Sequence, residues 1–281
     1  MKTILVTGST GQLGSELKDL QERNSEFIWI FADRNKVSLN NLELLEKQII
    51  EINPDIIINC AAYTAVDKAE EDYELANTIN HLSIGVISEY TSKNNVKLIH
   101  ISTDYVFDGN SSVPLNENSK TNPINVYGST KLNGEIVCIK NNPNSIIIRT
   151  SWVYSRYGNN FVKVMQKLMS ERDVLNIVND QIGSPTYAAD LAESIMIIIN
   201  SKKWIPGIYN YSNEGEISWF DFAKDIKELK GYKCELNGIP SLDYPTPASR
   251  PNYSLLDKTK IKNTYGIKIP FYIESLKKCI R

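Results

Sequence analysis

The chain has 281 residues, 42% hydrophobic and 23% charged, which is ordinary usage for one large domain or two modest ones and enough to bury a core without staples. Lys and Arg total 31 against 33 Asp and Glu, so the formal charge is −2 and the basic excess of a nucleic-acid binder is missing. The four cysteines (Cys60, Cys138, Cys234, Cys279) form no C-x-x-C pair, His81 and His100 lack H-E-x-x-H spacing, and no apolar run nears the ~18 residues of a membrane span.

In chain order, residues 3–7 (TILVT) form a compact apolar run, and Leu13, Leu17 and Leu20 follow at helical spacing. Residues 27–32 are a second apolar run. Leu42, Leu45, Ile49 and Ile52 make a second helical stripe, which stops near Pro54. Residues 55–60 read as a third strand, 77–92 as a helix and 97–102 as a fourth strand carrying a structural His100. Residues 127–140 read as a helix and 145–150 as a fifth strand. Strands of continuous apolar character are buried on both faces, and alternation with helices predicts an α/β, doubly wound parallel sheet.

The regularity weakens near residue 150. Glycine, proline and aromatic residues become denser over 204–253, which predicts a smaller C-terminal α/β substrate-binding lobe. The expected division is 1–151 for a nucleotide-binding domain and 152–281 mainly for the lobe. A helix near 186–200 is expected to return to the main sheet. The N-terminal apolar run ends too soon for a signal peptide, so the expected location is the cytoplasm.

Gly8, Gly11 and Gly14 follow the first strand and open the first helix. In that context one glycine permits the turn, one lets the backbone approach a diphosphate, and one allows close helix–strand packing. The helix N-terminus offers N–H groups and a positive dipole end to phosphates. This predicts a Rossmann-like dinucleotide site. Asp33 lies 19 residues after Gly14, where an acid bonds a ribose 2′-OH and favours NAD. Arg34 beside it suits a 2′-phosphate instead, so both NADH and NADPH stay open.

Tyr127 and Lys131 stand at i and i+4, on one face of the predicted helix. A phenol with pKa near ~10 is a poor acid–base group at neutral pH, and a fixed ammonium one turn away favours its phenolate. Thr103, just after the fourth strand, is placed to bond a substrate carbonyl, because ligands of open parallel sheets bind outside the carboxyl ends of strands. Arg250 has a fork that matches diphosphate oxygens, and a surface ion pair is its alternative use.

Several strings together resemble the extended short-chain dehydrogenase/reductase family, over nearly the whole chain. They are AAYTAVDKAE at 61–70, STDYVF at 102–107, NVYGSTK at 125–131, RTSWVY at 149–154, GNNF at 158–161, NDQIGSPT at 179–186 and YPTPASRP at 244–251, then Ser254-Leu255. The resemblance implies hydride transfer from NADPH, or NADH, to C4 of a 4-keto-6-deoxy dTDP-sugar. Tyr127 would protonate the alkoxide. Lys131 would lower the tyrosine pKa and hold the nicotinamide ribose, and Thr103 would orient the carbonyl. Thr103, Asp104, Trp152 and Asn160 are assigned to the substrate, with Arg250.

Gly11, Gln12 and Leu13, then Asp33, then Ala62, Tyr63 and Thr64 match the family's cofactor contacts. Ser38 and Leu39 stand where members carry an acidic–aromatic pair. No C-terminal acidic cluster matches the magnesium site of some members, so no metal is expected, and a homodimer is left open. A dehydratase would carry a second acid where Tyr105 follows Asp104. An epimerase or another ketoreductase of nucleotide sugars remains an alternative. A non-catalytic regulatory subunit is also an alternative, against which the retained Thr103, Tyr127 and Lys131 speak.

Overall fold

Consecutive apolar residues demand burial on both faces of a strand, and the first strand β1 (Lys2–Thr7) obtains it, with Ile4, Leu5 and Val6 all at 0% exposure. The computed structural model describes residues 1–281. The glycine loop leads from β1 into α1 (Gln12–Asp19), and β2 (Phe27–Ala32) returns parallel beside β1. Then come α2 (Leu42–Ile52), β3 (Ile56–Asn59), the short α3 (Val66–Ala69) and α4 (Tyr73–Asn77), a π turn (Thr78–Leu82), and α5 (Ser83–Lys93). β4 (Lys97–Thr103), α6 (Val126–Asn141) and β5 (Ile146–Thr150) follow.

Alternation along the strands divides the core in two. Ile4, Val6, Ile58, Ile99 and Ile148 pack with Leu13 and Leu17 of α1 on one face. Leu5, Ile57, Leu98 and Ile147 pack on the other with Leu45 and Ile49 of α2, Ile84 and Ile87 of α5 and Cys138 of α6. Helices on both faces of a parallel sheet make the doubly wound α/β fold.

Beyond β5 the chain builds a second core. β6 (Val153–Tyr154), α7 (Phe161–Glu171), β7 (Val174–Val178), β8 (Ile182–Gly183) and β9 (Thr186–Tyr187) lead into α8 (Ala188–Asn200). α8 lies against α1, and its Leu191, Ile195 and Ile199 belong to the first core. β10 (Gly207–Tyr211) follows, then β11 (Ile217–Ser218), α9 (Trp219–Lys230), β12 (Glu235–Ile239), α10 (Thr259–Tyr265) and α11 (Tyr272–Cys279). Tyr154, Met165, Leu175, Phe222, Ile226 and Leu276 close the second core, where β12 pairs parallel with β7.

One expectation is corrected. Residues 207–211 fall in the stretch read as part of the smaller lobe, yet β10 pairs parallel with β5 and completes a six-stranded sheet of order β10-β5-β4-β3-β1-β2. Tyr209 and Tyr211 of this strand are wholly buried in the first core. Aromatic residues favour strands when they have a face to pack on, and α10 supplies it through Ile261. The helix read over 77–92 starts earlier and is broken by the π turn. No helix is long and apolar enough to cross a membrane.

Candidate active site

The glycine loop is tight for steric reasons. Gly8 has φ +65°, and a Cβ there would lie 2.7 Å from the Ala61 nitrogen. A Cβ on Gly14 would lie 2.4 Å from the Gly8 carbonyl oxygen, so helix and strand meet at a distance only glycine allows. Gly11 donates its N–H to that same oxygen at 3.0 Å and caps α1 with no side-chain bond. The N–H groups of Gln12, Leu13 and Gly14 find no backbone acceptor. They form a positive, unpaired cradle at the carboxyl edge of the sheet.

Asp33 directly follows β2 and uses Oδ1 to accept the N–H groups of Asn35 and Lys36, each at 3.0 Å. Arg34 beside it is exposed and makes no ion pair. Ala62, Tyr63 and Thr64 form the loop after β3. Asn80, in the π turn, accepts the Tyr63 N–H at 2.8 Å and donates to Thr130 of α6 at 3.1 Å, so one buried amide joins this loop to the helix of Tyr127. The Tyr63 hydroxyl is engaged by Asp72 at 2.9 Å.

Ser38 and Leu39 do not stand as a free pair. Leu39 is in the core beside Ala32, Val37 and Leu45, and the Ser38 hydroxyl bonds Asn40. An apolar side chain at this turn is drawn inward to the core.

Tyr127 occupies the first turn of α6. Asn125 caps that helix by accepting the Gly128 N–H at 2.7 Å. Gly128 has no room for a side chain, since a Cβ would lie 2.2 Å from the Tyr105 carbonyl oxygen. The Tyr105 ring meets the Tyr127 ring edge-on at 5.6 Å. Thr103, at the end of β4, stands near the Tyr127 hydroxyl, and its own hydroxyl donates to Asp104 and accepts the Tyr105 N–H at 3.2 Å. Burial pushes the Tyr127 phenol up to about 12, Thr103 pulls against this, and the Asp104 carboxylate adds to the rise.

Lys131 is buried one turn further on, where its ammonium donates to the Ile101 carbonyl at 2.6 Å. Burial pushes it down to about 8, and the Glu135 carboxylate opposes that shift. The Lys131 charge is directed at the strand carbonyl, while burial, Thr103 and Asp104 set the shift of Tyr127. Glu135 is itself held by Arg149 and Ser102 in a buried cluster.

On the far side of Thr103, Asp104 is buried and accepts from the Thr103 hydroxyl at 3.1 Å, while its Oδ2 has no hydrogen-bond partner. Burial lifts it to about 6, and the nearby Ser254 and Thr103 hydroxyls pull the other way. The Ser254 hydroxyl borders Gly183, and Gly183 borders the Trp152 ring at contact distance. Trp152 has φ +48°, a left-handed backbone that is uncommon for a bulky residue and typical of constrained sites. Its ring stacks on Trp219.

Two substrate assignments change. The Asn160 amide caps α7 at Lys163, donates to the Ser155 carbonyl at 2.7 Å and bonds the Gln12 side chain at 3.0 Å. Its polar atoms are fully used in tying the glycine loop to the second core, so it supports the loop and is not a free donor to a sugar. Arg250 forms a two-pronged pair with Asp67 at 3.0 and 2.8 Å, so the ion-pair alternative is the one realised. Trp219, Ser254 and Asn125 escaped the sequence reading as site residues. Ser254 and Asn125 lie inside motif strings, while nothing in sequence marks Trp219 as the partner of Trp152. No group of three or more His, Cys, Asp or Glu side chains is placed to hold a metal ion.

Comparison with known proteins agrees with this geometry. All residues 1–281 match the family described as RmlD substrate binding domain. The chain is 40% identical over 286 residues to the dTDP-4-dehydrorhamnose reductase of Sinorhizobium fredii, covering 99% of this chain and 96% of the relative. A crystal structure of a dTDP-4-dehydrorhamnose reductase from Clostridium acetobutylicum superposes with a TM-score of 0.95 at 38% identity, covering 99% and 98% of the two chains. The Bacillus anthracis enzyme of the same name, crystallised with NADP, gives 0.93 at 37% identity, covering 99% and 98%.

Proposed function

This chain belongs to the RmlD substrate binding domain family, and from that premise we propose that it is an NADPH-dependent oxidoreductase that reduces the C4 keto group of dTDP-4-dehydro-β-L-rhamnose to give dTDP-L-rhamnose. The observation that carries the reading is the grouping of Thr103 and Tyr127 at the carboxyl edge of the sheet beside the buried Asp104 carboxylate, which the Thr103 hydroxyl engages at 3.1 Å, next to the glycine-loop cradle.

The residues present fit the cofactor. Gly8 and Gly14 leave space no side chain could share, and the unpaired N–H groups of Gln12, Leu13 and Gly14 suit a diphosphate between Gly11 and the start of α1. Asp33 and Arg34 stand where the adenosine ribose and its 2′-phosphate belong. Ala62, Tyr63 and Thr64 line the same edge, and Lys131 is the cation for the nicotinamide ribose. Bound there, the reduced nicotinamide supplies a hydride to the C4 carbonyl carbon.

Thr103 orients the carbonyl oxygen, and Tyr127 holds at Oη the proton that this oxygen needs. A phenol near 12 stays protonated at neutral pH. An alkoxide is a base comparable to hydroxide, whose conjugate acid has a pKa of ~15.7, so the transfer runs downhill without any lowering of the tyrosine. Asp104 and Trp152 contact the sugar. Residues 1–151 carry the cofactor and 152–281 mainly the substrate, with α8 and β10 packed in the first core.

The test is oxidation of NADPH and, separately, NADH, with the ketosugar generated in place by the preceding epimerase. Ketosugar-dependent oxidation is expected, faster with NADPH. Tyr127→Phe should cut turnover ~100-fold or more and leave cofactor binding intact. No oxidation by a folded, cofactor-binding protein would move the reading to another nucleotide sugar or to a non-catalytic subunit.

A further inference from the structure

We propose that Asn125 is a positioning residue for Tyr127, and that it acts by locking the segment 246–254 onto the first turn of α6. The inference rests on the reductase reading and deepens it.

Asn125 is 7% exposed, and its amide makes two bonds in opposite directions. Oδ1 accepts the N–H of Gly128, the residue after Tyr127, at 2.7 Å. Nδ2 donates to the Ser249 carbonyl, also at 2.7 Å. An N-cap needs only the first bond, so the second is beyond what helix initiation requires. Ser249 lies 124 residues away in sequence.

The segment it holds is pinned along its length. Asp67 of α3 accepts from the Ala248 N–H at 3.2 Å and grips the Arg250 guanidinium. Pro251 and Asn252 pass so close to Gly109 that a Cβ there would sit 2.5 Å from the Pro251 Cα. Tyr253 donates to the Gly109 carbonyl at 3.2 Å, and Ser254 to that of Ile182 at 2.8 Å.

This path runs from Ser249, held at the α6 cap, to Ser254, whose hydroxyl lies near Asp104. The charges of Arg250 and Asp67 are both felt at the Tyr105 phenol, whose ring abuts Tyr127. One segment therefore joins the cap of the helix that carries Tyr127 to the neighbourhood of the buried Asp104 carboxylate, and Asn125 fixes its register against that helix. A displacement of about 1 Å at a reacting group costs as much as ~100-fold in rate, so such a lock matters to chemistry without touching it.

Asn125→Ser separates the two bonds. Serine caps a helix as well as asparagine does but cannot reach Ser249 with a donor. Asn125→Ala removes both bonds. The expected result is a lower Tm for the alanine variant, with the Tm rescued in the serine variant. Turnover should not be rescued: kcat in Asn125→Ser stays down ~10-fold or more, and the Ala248 amide exchanges hydrogen faster.

Asp67→Asn loosens the same segment from its other anchor, so its effect on kcat should be less than additive with that of Asn125→Ser. A serine variant with wild-type kcat and unchanged exchange at Ala248 would leave Asn125 as an ordinary cap and overturn the inference alone. A wild-type protein with no ketosugar-dependent turnover would overturn the reductase reading as well.

Discussion

Trp152 and Trp219 lie ring on ring, with centroids 3.7 Å apart and planes 13° from parallel, although 67 residues separate them in the chain. Phe161 closes on the back of Trp219 at 4.5 Å, and Gly183 leaves the space into which the Trp152 ring fits. The left-handed backbone of Trp152 is held by this packing and by the Thr186 N–H on its carbonyl oxygen at 3.2 Å.

Replacing Trp219 should release that wall. An aromatic pair contributes about 0.5–1.5 kcal/mol beyond its buried area, so Trp219→Ala should raise KM for the ketosugar ~10-fold. NADPH binding should be unchanged, and Trp219→Phe should restore most of the loss. Steady-state kinetics with each substrate varied in turn check this, and equal losses for both substrates would count against it.

Asp104 should make the protein less stable as pH rises. Its folded pKa, about 6, lies above the ordinary value of 3.8. A carboxyl that binds its proton more tightly when folded contributes most below about pH 4, and that contribution is lost as pH rises through about 6. Asp104→Asn should therefore raise Tm above neutral pH, by an amount equivalent to about 3 kcal/mol at most, with the gain vanishing near pH 4. Turnover should fall in the same variant. Thermal melts at the two pH values decide it, and a pH-independent difference would refute the account.

Lys131 should set an alkaline limit. Its folded pKa, about 8, lies below the ordinary 10.5. A base depressed by burial favours folding most when neutral, so its contribution is greatest above about pH 10.5 and is lost as pH falls through about 8. In the function proposed above, the ammonium is the form that holds the nicotinamide ribose. The kcat/KM for NADPH, which reports the free enzyme, should decline with an apparent pKa near 8. A limb displaced above about 10 would show that another group controls it.

Two glycines should respond oppositely to alanine. At Gly14 the added carbon would lie 2.4 Å from a backbone oxygen, so Gly14→Ala must open the loop and should weaken NADPH binding ~100-fold. At Gly85, inside α5, the nearest atom is the Val137 side chain at 3.5 Å, an ordinary contact. Gly85→Ala should stabilise the protein by about 0.5–1 kcal/mol through reduced unfolded-state freedom. Fluorescence titration of NADPH and thermal melts separate the two.

Much of this was legible in the chain because the signals are local. The apolar runs of β1, β3, β4 and β5 announce strands buried on both faces, and the stripes of α1 and α2 announce helices. β10 was harder, because a strand written GIYNY carries none of the isoleucine repetition of its neighbours. At the site, Thr103 and Tyr127 could be named from the motif strings and their spacing. The use made of Asn160, Arg250 and Leu39 could not, because each is claimed by a partner that the motif does not contain.

Local order along the chain is enough to say which faces are apolar, where the backbone must be free of side chains, and which residue types stand one helical turn apart. Those properties belong to a few consecutive residues, and steric and hydrophobic effects fix them before any distant contact forms. Long-range packing settled that Arg250 grips Asp67 across 183 residues, that Lys131 bonds the Ile101 carbonyl of β4, and that Trp219 stacks on Trp152. A charged or polar group takes the best of several competing partners, and which of them lies within about 3 Å is settled by how the helices and the two cores pack.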